Sequence, residues 1–561
     1  MLCNVAVATA LFVGLATSQA AAPTAQTQNG TYVGLHSAEY DQDFFLGIPY
    51  AQPPVGSLRF RNPVALNTTF SEPKPATQYS SECYGYGSDQ WNYPVSEDCL
   101  YINIVRPAGY EDENLPVSFW IHGGGFTQGG GIDQRYNLSF TVQNSVKIGK
   151  PIIGVSINYR LSAWGFLAGS EELKENGNLN LGLRDQRLAL QWVQENIGAF
   201  GGNPEQVTIY GESAGAQSVG FHLTAYGGRD DKLFRGAIMQ SGNPVNYGPL
   251  PDPVTGYTTM YNLITSRTGC ANATSPLECL RGVPTVQLNA AINTTTPYMN
   301  TTSFQPCLDG DFIQKRTSLQ LAAGEFVHVP IISGANSDEG TAFSPSPVNS
   351  TEDLRTFIMA EGVPANLTEQ LLVAYPDDLS VNVVANLGLN RPDPLFGPQF
   401  RRSASYFGDY VFIANRRLTC QTWAAANVPA YCYRFNVIPA GIPPSIGVTH
   451  FQEVAFVFNN LNGVGYLPAA VPPFENKTES YRELANFMNS NWISFVHDLD
   501  PNAWRETTDF NGTEAMWPVY DVANPMDFVF DANVSSYAEP DTYRKEGMAL
   551  INAHNYDVYM R

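Results

Sequence analysis

The stretch VTIYGESAGAQSVG, residues 207–220, sets a serine between two glycines where an apolar, β-branched run gives way to residues suited to a helix. Few features narrow a fold so far. Glycines on either side of a serine permit a sharp turn, and such a turn between a buried strand and a helix lifts the hydroxyl above the end of a sheet. Gly211-Glu212-Ser213-Ala214-Gly215 fits that G-X-S-X-G pattern in the strand–turn–helix context the pattern requires. The competing reading is a glycine–serine turn without chemical work.

The remaining sequence supplies a matching sheet. FFLGIPYA, VSFWIHGG, PIIGVSINY, QVTIYGE, LFRGAIMQSG, VPIISGANSDEG and VPAYCYRFNV are short apolar runs, most of them ended by Gly, Asn or Asp. They read as strands buried on both faces. Between two of them, residues 183–197 carry Leu183, Ala189, Leu190, Val193 and Ile197 on one helical face, with Arg184, Gln191 and Glu195 opposite. Strands alternating with helices predict an α/β fold with a large, mostly parallel central sheet wrapped by helices, its reactive groups at strand C-terminal ends. The 48 glycines and 39 prolines are dispersed, so no linker divides the chain. Residues 1–22 read as a signal peptide with an apolar core at 5–16, and residues 23–561 as a single domain. A net charge of −21 argues against nucleic acid or an anionic membrane surface as partner.

Export agrees with two further observations. Asn-X-Ser/Thr sequons begin at Asn29, Asn67, Asn137, Asn272, Asn293, Asn300, Asn349, Asn366, Asn476, Asn511 and Asn533, as in a secreted glycoprotein. Of the eight cysteines, Cys83 with Cys99 and Cys270 with Cys279 are close enough to close small loops in an oxidising compartment. Cys307, Cys420 and Cys432 cannot all pair, and which of them do is open at this level. No two cysteines have Cys-X-X-Cys spacing, so a metal site is not indicated.

A nucleophilic serine needs a base, an acid to orient it and donors for an oxyanion. FWIHGGGFTQGGG follows a strand and offers the uncrowded backbone N–H groups of Gly123 to Gly125. Of the seven histidines, His450 lies in a loop downstream of the serine, where a general base belongs. Glu339 in SGANSDEGTAF follows a strand, and the order Ser213, Glu339, His450 is the chain order found in α/β-hydrolases. Asp338 is the alternative acid.

These blocks, with FLGIPYAQPPVGSLRFRNP, SEDCLYINI, INYRLSAWGFL and GVTHFQEVAFVF, resemble the type-B carboxylesterase/lipase family of the α/β-hydrolase superfamily, in family order from about residue 32 to 520. The resemblance implies a serine ester hydrolase that needs no cofactor or metal. It assigns Ser213 as nucleophile, His450 as base, Glu339 rather than Asp338 as acid, and Gly124, Gly125 and Ala214 as the oxyanion hole. It implies the Cys83–Cys99 and Cys270–Cys279 disulfides, a third bridge at Cys420 being in question, and the buried ion pairs Arg59–Glu97 and Arg160–Asp185. Substrate expectations rest on the loop between Cys83 and Cys99. In the family's lipases that loop is a long amphipathic lid; here it is YGYGSDQWNYPVSED, too short to cover a gorge for long acyl chains. That favours soluble or short to medium esters over a lipase or sterol esterase. Trp91 in this loop is a candidate substrate contact through its ring face in a cholinesterase-like reading, against which stands a packing or rim role, and Tyr84, Tyr86 and Tyr93 are candidates for the gorge mouth. Glu212 is a second candidate substrate contact, a neighbour placed to shape the field around the serine. A catalytically dead binding protein is disfavoured because the whole triad is present.

Overall fold

The computed structural model describes residues 22–561 apart from 297–298, 301–302, 383–389, 393, 467–469, 509 and 511. The signal-peptide reading thus falls almost wholly outside the described residues.

Eleven strands form one sheet: β1 (Leu35–Ser37), β2 (Gln42–Pro49), β3 (Tyr101–Pro107), β4 (Leu115–Ile121), β5 (Ile153–Ile157), β6 (Gly202–Glu212), β7 (Gly236–Gln240), β8 (Ile331–Asn336), β9 (Ala430–Phe435), β10 (Met526–Phe530) and β11 (Tyr537–Pro540). Their spatial order is β11-β10-β9-β8-β7-β6-β4-β5-β3-β2-β1. From β5 through β10 every neighbouring pair is parallel. The β5–β3, β3–β2, β2–β1 and β10–β11 pairings are antiparallel. FFLGIPYA therefore lies in the antiparallel flank rather than in the parallel centre.

The central strands are apolar on both faces because each face meets its own core. Phe119, Ile121, Val155, Ile157, Val207 and Ile209 enter one core, and Trp120, Tyr210, Ile238, Ile332, Tyr433 and Phe435 enter the other. The alternation is the two-residue period of a strand. Fully burying each such side chain stabilises the fold by about 1.5–3 kcal/mol.

Helix α1 (Leu138–Lys147) covers the second core and α2 (Leu181–Asn196) the first. In α2 the expected stripe of Leu183, Ala189, Leu190, Val193 and Ile197 is buried, and Trp192 joins it. Helix α3 (Ala214–Gly228) follows β6 directly. Helices α4 (Phe400–Gly408) and α5 (Ala414–Ala425) are joined by a π-helical turn, Asp409–Ile413, and α6 (Glu479–Asp498) packs Phe487, Met488, Trp492 and Ile493 into the second core.

The expected disulfides Cys83–Cys99 and Cys270–Cys279 are both formed. A third joins Cys420 on α5 to Cys432 on β9, and Cys307 is a buried free thiol. The resemblance left this bridge in question because no cysteine follows Cys432; the partner is Cys432 itself, brought alongside when α5 docks on the sheet. Arg59 forks onto Glu97, its Nη2 donating at 2.8 Å, and Arg160 binds Asp185 through Nε and Nη2 at 2.8 and 2.7 Å. Removing one partner of such a buried pair costs about 3–5 kcal/mol.

Candidate active site

Ser213 stands between the end of β6 and the start of α3 with φ +56° and ψ −124°. This conformation is sterically costly for a residue with a side chain and persists only when its surroundings enforce it. Here the enforcement is visible. A Cβ on Gly215 would lie 2.1 Å from the carbonyl oxygen of Ile121, and one on Gly211 would lie 2.5 Å from the backbone of Gly215. The two glycines of the motif are thus the places where strand, helix and neighbouring strand touch main chain to main chain. The Ser213 N–H donates to Gln240 O at 2.9 Å, which ties the turn to β7.

The glycine loop after β4 meets the elbow from the side. Gly124 has φ +92°, and a Cβ there would collide with Gln128 O at 2.3 Å. His122 holds the loop's root: its Nδ1 lies 2.9 Å from Gly123 O, its carbonyl accepts from Tyr159, and its ring stacks on that tyrosine. Burial pushes His122 down to about 4, so it stays neutral and structural.

Ser213, Gly124, Gly125, Glu212 and His450 line one cavity of about 630 Å³. Ala214 is the first residue of α3 and is fully buried, outside the cavity lining. Behind His450 lies Glu339, fully buried at the end of β8, with Oε2 2.7 Å from His450 Nδ1. Its other oxygen accepts from the Asn336 N–H at 2.7 Å and from the Ser241 hydroxyl. Asp338, the alternative acid, instead accepts from the Val448 N–H at 2.7 Å.

Two features of this site were not anticipated from sequence. The first is a third buried carboxylate, Glu453, which joins Glu212 and Glu339 in a cluster. Glu212 Oε1 lies 3.2 Å from His450 Nε2, at ion-pair distance but misaligned for a hydrogen bond. Glu453 accepts from Asn336 Nδ2 at 2.8 Å and from Gln240 Nε2 at 3.2 Å. Burial opposes a charge on His450, but Glu212 and then Glu339 outweigh it and hold the imidazole up to about 9. Burial likewise pushes the Glu212 carboxyl well above its ordinary range, His450 working against the rise. The spacing His450-Phe451-Gln452-Glu453 was the signal available for Glu453.

The second feature is an aromatic wall. The π-helical turn delivers Tyr410, Val411 and Phe412 to the cavity, beside Phe407, Phe343 and Tyr247. Phe412 lies parallel to the His450 ring, 4.9 Å between centroids at 4°, and Phe343 meets it edge-on at 5.1 Å. π-turns recur at functional sites, where the extra residue re-aims side chains.

The disulfide loop contributes differently than expected. Trp91 lies outside the cavity lining with 63% of its surface exposed, as a rim residue would. Tyr84 stacks on Trp164, Tyr86 donates to Asn289 Oδ1, and Tyr93 accepts from the Gln134 N–H, so none of the three reaches the cavity. Asp89 alone among the loop residues lines it, held by Arg135 at 2.7 Å. A larger groove of about 800 Å³ under Phe487, Trp504 and Phe510 contains none of the groups described above.

A mostly parallel sheet with a serine elbow at the carboxyl end of a central strand defines an α/β-hydrolase. The carboxylesterase family model matches residues 21–544, and the chain belongs to that family. A secreted lipase of Botryotinia fuckeliana is 36% identical over 542 residues, 90% of this chain and 88% of the relative. A secreted triacylglycerol lipase of Gibberella zeae is 32% identical, covering 96% and 91%. Among solved structures, EstA of Aspergillus niger superposes with a TM-score of 0.82 at 28% identity, covering 96% of this chain and 99% of that one. The protein is accordingly a carboxylic ester hydrolase, acting on ester substrates. Among the described residues no helix is long and apolar enough to cross a membrane.

Proposed function

We propose that this chain hydrolyses carboxylic esters through Ser213, His450 and Glu339, and that its substrates are soluble or short to medium esters. The observation that carries the triad is the 2.7 Å Glu339–His450 contact behind a cavity that Ser213 and His450 share. Glu339 orients the ring, leaving Nε2 to take the proton as Ser213 Oγ attacks the ester carbonyl. The oxyanion that forms is met by the N–H groups of Gly124, Gly125 and Ala214. When the tetrahedral adduct collapses, the C–O bond to the alcohol breaks and the imidazolium returns its proton to the leaving alcohol. Water then attacks the acyl-enzyme by the same route and releases the acid. Glu212 shapes the field at Nε2 from the cavity lining.

The short Cys83–Cys99 loop supports the substrate reading, since it lays only Asp89 along the cavity. The second reading, a lipase on long-chain esters, draws on the names of the relatives. A panel of esters varying acyl length separates the two. We expect the highest kcat/KM on short to medium monomeric esters, without a jump above the solubility limit. An optimum on long-chain triglyceride emulsions would overturn this preference, and turnover surviving in Ser213→Ala would overturn the mechanism.

We further propose that the chain is secreted after loss of residues 1–22, that residues 23–561 form one domain, and that some of its sequons carry glycans. Amino-terminal sequencing and glycopeptide mapping of protein recovered from culture medium test both processing claims. Asn137 is the sequon we expect to stay bare, because its Nδ2, the atom a glycan would occupy, donates to Gln134 Oε1 at 3.2 Å while its Oδ1 caps α1 by accepting from the Ser139 N–H.

A further inference from the structure

The aromatic wall rests on a residue far away in sequence. Arg561 is completely buried, yet it has no ion-pair partner among the described residues. Its guanidinium lies 4.7 Å from the Tyr410 ring and 5.0 Å from the Tyr559 ring. Nε donates to Asn555 Oδ1 at 2.8 Å and Nη1 to the Tyr247 carbonyl at 3.1 Å, while Nη2 has no hydrogen-bond partner among the described residues. The main chain is pinned too: the Met560 carbonyl accepts from the Leu250 N–H at 2.9 Å, and the Arg561 carbonyl accepts from the Ser318 hydroxyl.

Tyr247 and Tyr410 come from separate elements, the segment after β7 and the π-helical turn, and both line the cavity. Arg561 touches both, one through its ring and the other through its main-chain carbonyl. From Tyr247 the contacts continue to Phe412, 6.3 Å between ring centroids, and from Phe412 to His450. A buried cation is retained only where carbonyls and ring faces replace water, and the planar fork of arginine can reach a carbonyl, an amide and two rings at once. An ammonium could not.

We propose that Arg561 is a positioning residue that fixes the separation of Tyr247 and Tyr410 and thereby sets the size selectivity of the cavity toward the ester. The inference rests on the proposal that this cavity holds the ester. It adds that selectivity is governed from outside the cavity lining, by a residue that never meets substrate.

The test compares full-length wild type, Arg561→Met and Arg561→Lys on two series: p-nitrophenyl esters from acetate to laurate, and alkyl butyrates from methyl to hexyl. Tyr559→Leu, which removes one ring of the bracket at a residue that is not itself part of the cavity lining, serves as a second variant where Arg561→Met folds poorly. Each preparation is normalised by the fraction of Ser213 labelled by a phosphonate. We expect the kcat/KM ratio between the ends of at least one series to change tenfold or more, chiefly through KM, with Arg561→Lys failing to restore it. An equal factor on every ester, or a lowered melting temperature with both profiles intact, would make Arg561 merely structural and overturn the proposal. Failure of wild type to label at Ser213 would instead sink the triad reading, so the two failures are distinguishable.

Discussion

Around the cavity, the elbow side owes its shape to main chain packed where no Cβ fits, whereas the facing wall owes its shape to rings carried on a π-helical turn. On the first side, Gly211, Gly215 and Gly124 each mark a backbone approach that any other residue would break. On the second, Phe412, Phe343 and Tyr247 touch one another or His450 through their rings, and Tyr410 lines the cavity beside them. The difference separates two jobs. Chemistry tolerates little displacement of nucleophile and donors, so rigid backbone sets them. Substrate fit is tuned by volume, and side chains supply volume without disturbing the sheet.

That contrast is open to direct attack. The largest effect is expected from Glu339→Gln, which keeps the size of the side chain but no longer stabilises the imidazolium; kcat should fall by about 10⁴. Gly124→Ala should lower kcat by about 10²–10³, the cost of an oxyanion donor, because the added Cβ displaces the loop from Gln128. An effect below tenfold would show that the loop accommodates a side chain and would blur the distinction between the two sides.

Smaller effects probe the carboxylates and the rings. His450 acts as a base only when neutral, and it is held up to about 9, so the acid limb of kcat/KM should lie well above the ordinary histidine range. Glu212→Gln removes the foremost carboxylate raising it, so that limb should move down by about one pH unit or more. A stationary limb in a pH–rate profile would remove Glu212 from the account. Phe412→Leu, which gives up the parallel contact with His450, should reduce kcat by about two- to tenfold. A loss as large as that of Gly124→Ala would mean the wall positions the base as strictly as the backbone positions the serine.

Sequence reading reached the elbow side far better than the wall. The G-X-S-X-G pattern, the glycine run and the apolar strands around them are local signals, and β4 to β9 and α2 follow from periodicity. Main-chain constraints leave such marks because only certain residues satisfy them. The π-helical turn leaves none: Asp409-Tyr410-Val411-Phe412-Ile413 reads as ordinary helix, and the one-residue excess that aims Phe412 at His450 arises from tertiary packing. Cys420–Cys432 and the Arg561 bracket were hidden for the same reason, since each joins elements that meet only once the sheet is assembled. Trp91 is a case where sequence leaves two roles open, substrate contact or rim, and the short loop leaves its ring facing solvent.

The central claim is that Ser213 is the nucleophile, and peptide mapping after reaction with an organophosphonate tests it most directly. The account predicts one label per chain, on Ser213, with loss of esterase turnover in step with labelling. Full activity in a fully labelled protein, or a label on any other residue accompanying inactivation, would contradict it.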